Sequence, residues 1–88
     1  MRYIITEFDI FNAIIHVGQK NKSLWDNAND CLLEIETRLE YKEELMNKVK
    51  NYLKEKHYLI RVDITNDNIL DVWYNYYYDL YELINNYK

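Results

Sequence analysis

Few side chains in this sequence could act as nucleophiles, general bases or metal ligands, and those few stand far apart. Ser23 is the only serine, Cys31 is the only cysteine, and the two histidines, His16 and His57, are separated by about half the chain. A zinc site needs His or Cys ligands at short spacing, and a nucleophile needs a base beside it. We interpret Ser23 as a helix cap and Cys31 as a buried, unreactive thiol. The sequence therefore predicts no enzyme, no bound metal and no cofactor.

Length and composition limit what the fold can hold. The chain has 88 residues, of which 49% are hydrophobic, with a formal net charge of −4, one Gly and no Pro. We expect residues 1–88 to form one small domain with little room for a deep small-molecule site. The near absence of Gly and Pro favours uninterrupted helices. A single cysteine and the lack of any long uncharged stretch predict a cytoplasmic protein that does not enter a membrane.

The N-terminal segment combines a strand-like alternation with a helix start. Thr6 is followed three residues later by Asp9, which is the spacing of a capping box. Gly18 suits the left-handed residue that often closes a helix. We therefore predict a short strand over 2–6 and a helix over 7–17.

A second strand is predicted farther along the chain. Ile60, Val62 and Ile64 alternate with polar residues, which is typical of a half-buried strand over about 58–65. The natural partner of this strand is the one over 2–6. Two strands alone are marginally stable in water, so helices must pack against them.

The central segment has an apolar residue at every seventh position, as in a coiled coil. After the capping signal at Ser23, this helical pattern extends over about 24–56, as one long helix or as two stacked helices. Such a seam packs either on the chain's other helices or on a second copy, so a homo-oligomer through residues 25–53 is one alternative. The residues of the heptad seam are Trp25, Leu32, Leu39, Met46 and Leu53.

A final amphipathic helix is predicted over about 67–87, with Thr65 or Asn66 as its cap. Trp73 lies on its apolar face and Tyr78 on the opposite face. These elements together predict an α+β, mostly helical fold, in which a long central helix and the C-terminal helix pack with a short two-stranded sheet. The alternative is an all-α bundle of three to four helices.

Charge is arranged in three blocks along the chain. Acidic residues dominate over 26–44 and basic residues over 45–61, while 62–87 contains five acids and no base. An acidic helix that carries tyrosines is typical of a protein-binding surface, since Tyr offers a large contact area and carboxylates select a basic partner. The residues predicted to bind a partner are Asp71, Tyr74, Asn75, Tyr78, Asp79, Tyr81 and Glu82.

These features together favour a small acidic inhibitor that blocks a basic, nucleic-acid-binding surface on a host protein. The abundance of Asn, Lys, Tyr and Ile, which have AT-rich codons, favours a phage or other mobile element as its source. In size and composition the chain resembles anti-CRISPR proteins and other anti-defence or nuclease inhibitors, although no motif matches any one family.

Two alternatives belong to other functional classes. One is a structural or regulatory homo-oligomer assembled through the heptad seam. The other is a nucleic-acid binder in which Tyr52 and Tyr58 stack on bases. Nucleic-acid binding weakens steeply with added salt, which distinguishes it from the other hypotheses. Its basic residues are Lys48, Lys50, Lys54, Lys56 and Arg61.

Overall fold

Five helices make up the described part of the chain. The computed structural model describes residues 3–30 and 39–86, and no β-strand occurs in these two ranges. The predicted two-stranded sheet is therefore wrong. The all-helical alternative agrees with the structure, with five helices in place of three or four. The helices are α1 (Glu7–Lys20), α2 (Lys22–Asp30), α3 (Leu39–Lys56), α4 (Asn66–Asn75) and α5 (Tyr77–Asn85).

α1 begins at the predicted capping box. The Thr6 hydroxyl accepts a hydrogen bond from the Asp9 backbone N–H at 3.3 Å, and the Asp9 carboxylate accepts one from the Thr6 backbone N–H at 2.9 Å. The predicted end at residue 17 is wrong, because α1 continues to Lys20 and Gly18 has no left-handed φ. Gly18 instead lies buried against Ile84 of α5, where a Cβ would come within 2.7 Å of the Ile84 Cδ1. Its missing side chain allows the two helices to approach.

The connection between α1 and α2 is shorter than predicted. α2 begins at Lys22, so Ser23 lies inside its first turn and the prediction of Ser23 as a cap is wrong. The physical reason is that Asn21 already occupies the capping position: its carbonyl accepts the Trp25 N–H at 2.9 Å. The same Asn21 also donates from its backbone and side chain to the Val17 carbonyl, both at 2.9 Å. α1 ends here because Asn21 has a φ of −128° and a ψ of 60°, outside the α-helical range.

The described residues of the heptad seam lie inside the protein's own core. Trp25, Met46 and Leu53 are buried, and the helices that carry them, α2 and α3, pack on each other and on α1. Cys31, Leu32 and the side chain of Leu39 lie outside the described residues. The described part of the seam therefore packs on the chain's other helices.

α3 ends in a Schellman motif. The Leu59 N–H donates to the Lys54 carbonyl at 2.8 Å, and the Tyr58 N–H donates to the Glu55 carbonyl at 3.4 Å. Tyr58 takes the left-handed position of this motif, with a φ of 55°. Glycine normally fills that position because a Cβ is disfavoured there. A helix therefore ends where the sequence contains neither Gly nor Pro.

The predicted strand over 58–65 is instead an irregular connection to α4. Val62 and Ile64 are half-buried against the core, whereas Ile60 is 95% exposed. Two of the three alternating residues are thus covered by helices. The alternation therefore reflects burial against the helical core and does not require a partner strand. The segments predicted to pair do border one depression in the surface, which includes Ile5 and Ile64.

The predicted helix over 67–87 is divided into two helices at Tyr76. α4 begins at a capping box formed by Thr65 and Asn68, which confirms Thr65 as the cap. Tyr76 has a φ of −118° and a ψ of 28°, outside the α-helical range. Its ring packs edge-on against Phe11, with 5.5 Å between the ring centroids. α4 and α5 each bury a separate short apolar face, and both pack on α1.

α1 is the centre of the fold, since it packs against each of the other four helices. Beside it, Trp25 and Trp73 are fully buried and stack with 5.3 Å between ring centroids. The Asn29 side chain accepts a hydrogen bond from the Trp73 indole N–H at 3.1 Å and donates one to the Tyr77 hydroxyl at 3.4 Å. The buried Trp25 indole N–H has no partner within the described ranges. Two similar rings therefore differ in their hydrogen bonding.

Candidate interaction surface

The seven residues predicted to bind a partner all lie at the surface. Each one is exposed, and residues 62–86 contain no Lys, Arg or His. The carboxylates of this segment therefore have no basic neighbour within it, and they give both helices a negative outer face. Asp71, Tyr74 and Asn75 belong to α4, while Tyr78, Asp79, Tyr81 and Glu82 belong to α5.

Two tyrosines of α5 each contact the ring of a third, Tyr77, and we call Tyr77, Tyr78 and Tyr81 the tyrosine cluster. Tyr78 is 83% exposed. The Tyr77 ring meets the Tyr78 ring edge-on at 5.6 Å and lies roughly parallel to the Tyr81 ring at 6.2 Å, both measured between centroids. Asn29 of α2 donates a hydrogen bond to the Tyr77 hydroxyl. Tyr78 and Tyr81 are thus linked through the Tyr77 ring, which the hydrogen bond from Asn29 anchors to α2.

Tyr77 also belongs to this surface, although it is not among the seven predicted residues. It is half-buried and packs against the core, so a helical projection places it with the apolar residues. The available signal was its spacing of four residues from Tyr81, at which side chains on a helix are neighbours. Tyr74, in contrast, lies on α4, on the other side of the helix break at Tyr76.

The basic residues of the alternative nucleic-acid site are partly engaged with the protein itself. Lys50 donates a hydrogen bond to the Asn66 side chain at 2.6 Å. Arg61 forms an ion pair with Asp63 at 3.0 Å, and the Lys56 ammonium lies 5.6 Å from the centre of an aromatic ring. These contacts compete with phosphate for the same groups. The half-buried members of the set are Lys48, Lys50 and Lys54.

One of the two aromatic rings proposed to stack on bases is already covered. Tyr52 stacks on His16 with 4.2 Å between ring centroids, whereas Tyr58 is 96% exposed. Burial, followed by the charges of Lys20 and Lys56, lowers the pKa of His16 below 6.5. His16 is therefore an uncharged stacking partner at neutral pH.

A polar cluster joins the N-terminal segment to the end of α3. The Tyr3 ring stacks on the His57 ring with 4.1 Å between centroids, and its hydroxyl donates to the Asp9 carboxylate at 3.0 Å. The His57 Nε2 lies 3.9 Å from the Asp9 Oδ1. Burial raises the pKa of Asp9, but hydrogen bonds from Thr6 and Tyr3 and the charge of His57 outweigh it, so this pKa falls below 3.8. Desolvation and then the Asp9 carboxylate raise the pKa of Tyr3.

Replacing Asp9 with Asn is expected to lower the unfolding free energy by about 1 kcal/mol at neutral pH, because the neutral amide accepts weaker hydrogen bonds than the carboxylate does. A carboxylate whose pKa is lowered by folding stabilises the protein fully above its unfolded pKa, and the stabilisation is lost as the pH falls through the folded pKa. The difference between wild type and variant should therefore hold from about pH 7 to pH 5 and vanish in stronger acid. Urea unfolding followed by circular dichroism measures it. A difference that grows toward acid contradicts this role.

No protein-family model, curated protein or solved structure matches this chain. In residues 3–30 and 39–86, each helix is too short or too polar for a membrane crossing. The same residues contain no group of three or more His, Cys, Asp and Glu side chains placed to hold a metal ion.

Proposed function

We propose that this protein acts by binding a basic surface of another protein through α4 and α5, and that it blocks this surface sterically. The supporting observation is the tyrosine cluster, whose most exposed ring lies beside carboxylates in a segment without a basic residue. Tyr78 is next to Asp79 in sequence, and Tyr81 is next to Glu82. An exposed aromatic group with charged neighbours is the composition of an interface centre and its polar rim.

The two residue types have different roles in this proposal. Tyrosine rings contribute contact area at a small cost in side-chain entropy, and tyrosines are common among the residues that dominate binding energy. The carboxylates accelerate association with a basic partner and exclude acidic ones. Asn29 of α2 donates a hydrogen bond to the Tyr77 hydroxyl of the cluster, so this ring is already partly ordered before a partner binds.

The finer identity of the partner belongs to the same proposal. A nucleic-acid-binding protein presents the basic surface that α4 and α5 require, and an inhibitor of the anti-CRISPR, anti-defence or nuclease-inhibitor type would target one. A net charge of −4 is small for imitation of a whole duplex, which supports local blocking. The AT-rich amino-acid usage supports a phage or mobile-element source, and the single cysteine supports action in the cytoplasm. No catalytic step is part of this function.

The two alternatives have less support from the described contacts. The seam residues Trp25, Met46 and Leu53 are buried within the chain's own core, so a second copy would have to displace that packing. In the basic segment, Lys50 and Arg61 already have acceptors on the protein. The experiment that tests the proposal must therefore also detect an oligomer or a nucleic-acid complex.

The experiment is capture of a binding protein on the immobilised full chain from a bacterial lysate that is split into nuclease-treated and untreated halves. A triple variant, Tyr74→Ser, Tyr78→Ser and Tyr81→Ser, removes exposed rings only. The control is Tyr58→Ser, which removes one ring that is 96% exposed on the connection after α3. We expect a stoichiometric protein partner whose affinity falls by roughly 30-fold or more in the triple variant, the loss typical of two or more hot-spot tyrosines. The control should bind like the wild type.

Circular dichroism verifies that both variants are folded before affinities are compared. A folded triple variant that captures the partner as well as the wild type does contradicts the proposal. So does a set of partners that disappears after nuclease treatment, which indicates nucleic-acid binding. Recovery of the bait alone, with a larger mass in solution than one chain, indicates the homo-oligomer.

A further inference from the structure

Three neighbouring depressions follow the face where the N-terminal half of α1 meets α4. One end is a depression of about 340 Å³ between residues 3–5 and 59–64. It shares Ile5 and Ile64 with a middle depression of about 230 Å³. The middle depression shares Glu7 with a third, of about 330 Å³, at the break between α4 and α5. Because neighbouring depressions have common walls, we treat them as one feature, the α1–α4 groove.

Large apolar side chains are exposed at both ends of the α1–α4 groove. Ile4 is 78% exposed at one end and Phe8 is 70% exposed at the other. Phe11 and Tyr76 line the groove beside Phe8, with their rings in edge-on contact. Apolar groups that are exposed together and bordered by polar ones mark interaction sites more often than singly exposed apolar residues do. The groove is therefore suited to a partner that contributes apolar side chains of its own.

Carboxylates lie between these apolar ends. Glu7 and Asp71 both border the middle depression, and both are exposed. Arg61 is the only base among the described residues that line the groove, and it pairs with Asp63 at 3.0 Å. The charge of Arg61 is thus balanced locally, and the groove as a whole remains negative. Its electrostatic complement is a basic ligand.

We infer that the α1–α4 groove binds a segment of a partner protein in which apolar residues are interleaved with Lys or Arg. The apolar residues of such a segment cover Ile4 and Phe8, while its basic groups pair with Glu7 and Asp71. The inference rests on the proposed function and deepens it, since Asp71 belongs to the outer face of α4 as well as to the groove. It specifies the chemistry of the partner and adds α1 to the binding surface.

The test uses a short fluorescent peptide in which Leu and Lys alternate, titrated with the full chain and followed by fluorescence anisotropy and amide chemical shifts. We expect saturable one-to-one binding with shifts in the first turns of α1 and in α4. The double variant Glu7→Gln, Asp71→Asn and the single variant Phe8→Ser should each weaken binding by about 10-fold or more. Asp67→Asn is the matched control, because it neutralises an exposed carboxylate one turn earlier on α4, outside the groove. It should change the affinity less than about 2-fold.

Several results would overturn the inference. Equal affinity for a Leu/Glu or a Ser/Lys peptide removes the requirement for basic or apolar groups, respectively. An equal loss in Asp67→Asn shows general attraction to an acidic protein, and shifts outside the groove place binding elsewhere. The tyrosine triple variant separates this inference from the proposed function, since it should retain the Leu/Lys peptide while losing the lysate partner. If the wild-type chain captures a lysate partner but does not bind the peptide, the inference about the groove is refuted and the proposed function is not.

Discussion

Replacing Trp73 with Phe is expected to lower the unfolding free energy by about 3 kcal/mol, whereas the same change at Trp25 should lower it by about 1 kcal/mol. Both rings are fully buried and they stack on each other, so the loss of apolar area is similar. They differ in the indole N–H. Trp73→Phe leaves the Asn29 oxygen without its donor, while Trp25→Phe removes a buried donor that has no partner within the described ranges.

Urea unfolding of the two variants, each of which keeps one tryptophan as a fluorescent probe, measures the difference. An Asn29→Ala variant provides the independent check through a double-mutant cycle. It should cost about 1–2 kcal/mol in the wild-type background and less in Trp73→Phe, where the hydrogen bond is already absent. Equal losses for Trp73→Phe and Trp25→Phe would show that the bond to Asn29 adds nothing to stability.

Gly18→Leu is expected to lower the unfolding free energy by about 3 kcal/mol, although leucine is a better helix former than glycine by roughly 1 kcal/mol. A Cβ at this position would lie 2.7 Å from the Ile84 Cδ1 and 3.3 Å from the Ile84 Cγ2. Since Ile84 is buried, its side chain cannot turn away without disturbing its neighbours. The larger side chain therefore separates α1 from α5.

Ile84→Ala makes this prediction specific to the contact. Alone, this truncation should cost about 2–4 kcal/mol, because it leaves a cavity. Combined with Gly18→Leu, it provides room for the new side chain. The loss of unfolding free energy in the double variant should therefore be smaller than the sum of the two single losses by at least about 1 kcal/mol. Chemical denaturation of the four proteins gives the coupling energy. Additive losses would mean that the cost of Gly18→Leu does not arise from its contact with Ile84.

The starts of α1 and α4 were the part of the fold that sequence could predict, whereas the predicted cap at Ser23 was wrong. Thr6 with Asp9 and Thr65 with Asn68 form capping boxes, in which all the interacting groups lie within four residues. Such signals need no knowledge of the rest of the fold. The outward position of Tyr78 was also predictable, because it depends on the helical period alone. The buried position of Trp73 on the apolar face was predictable for the same reason.

Helix ends and the sheet could not be predicted in the same way. The Schellman motif after α3 has Tyr58 in the left-handed position, and the break between α4 and α5 falls at Tyr76, so neither site carries the Gly or Pro that marks such a feature. The alternation of Val62 and Ile64 indicated a strand, but these side chains are covered by helices. The burial of these side chains thus comes from tertiary packing on the helices, which cannot be predicted from the local sequence.

The surfaces proposed to bind partners were predictable to different degrees. The outer face of α4 and α5 lies on one continuous stretch of sequence, so helical spacing was enough to select its residues. The α1–α4 groove joins Ile4 and Phe8 to Asp71, which are distant in sequence and meet only in the folded chain. Tyr77 illustrates both cases, because its neighbour Tyr81 was foreseeable and its bond to Asn29 was not.

The central position of α1 has a consequence for synthesis on the ribosome. α1 is translated before every helix that packs on it, and the Gln19 side chain donates to the Leu83 carbonyl across a separation of 64 residues. At about 5–20 residues per second, α1 waits roughly 3–13 seconds for α5 to be made. During that interval Ile14 and Val17 have no completed core to enter. The contacts of α1 with α5 therefore form only once α5 has left the exit tunnel.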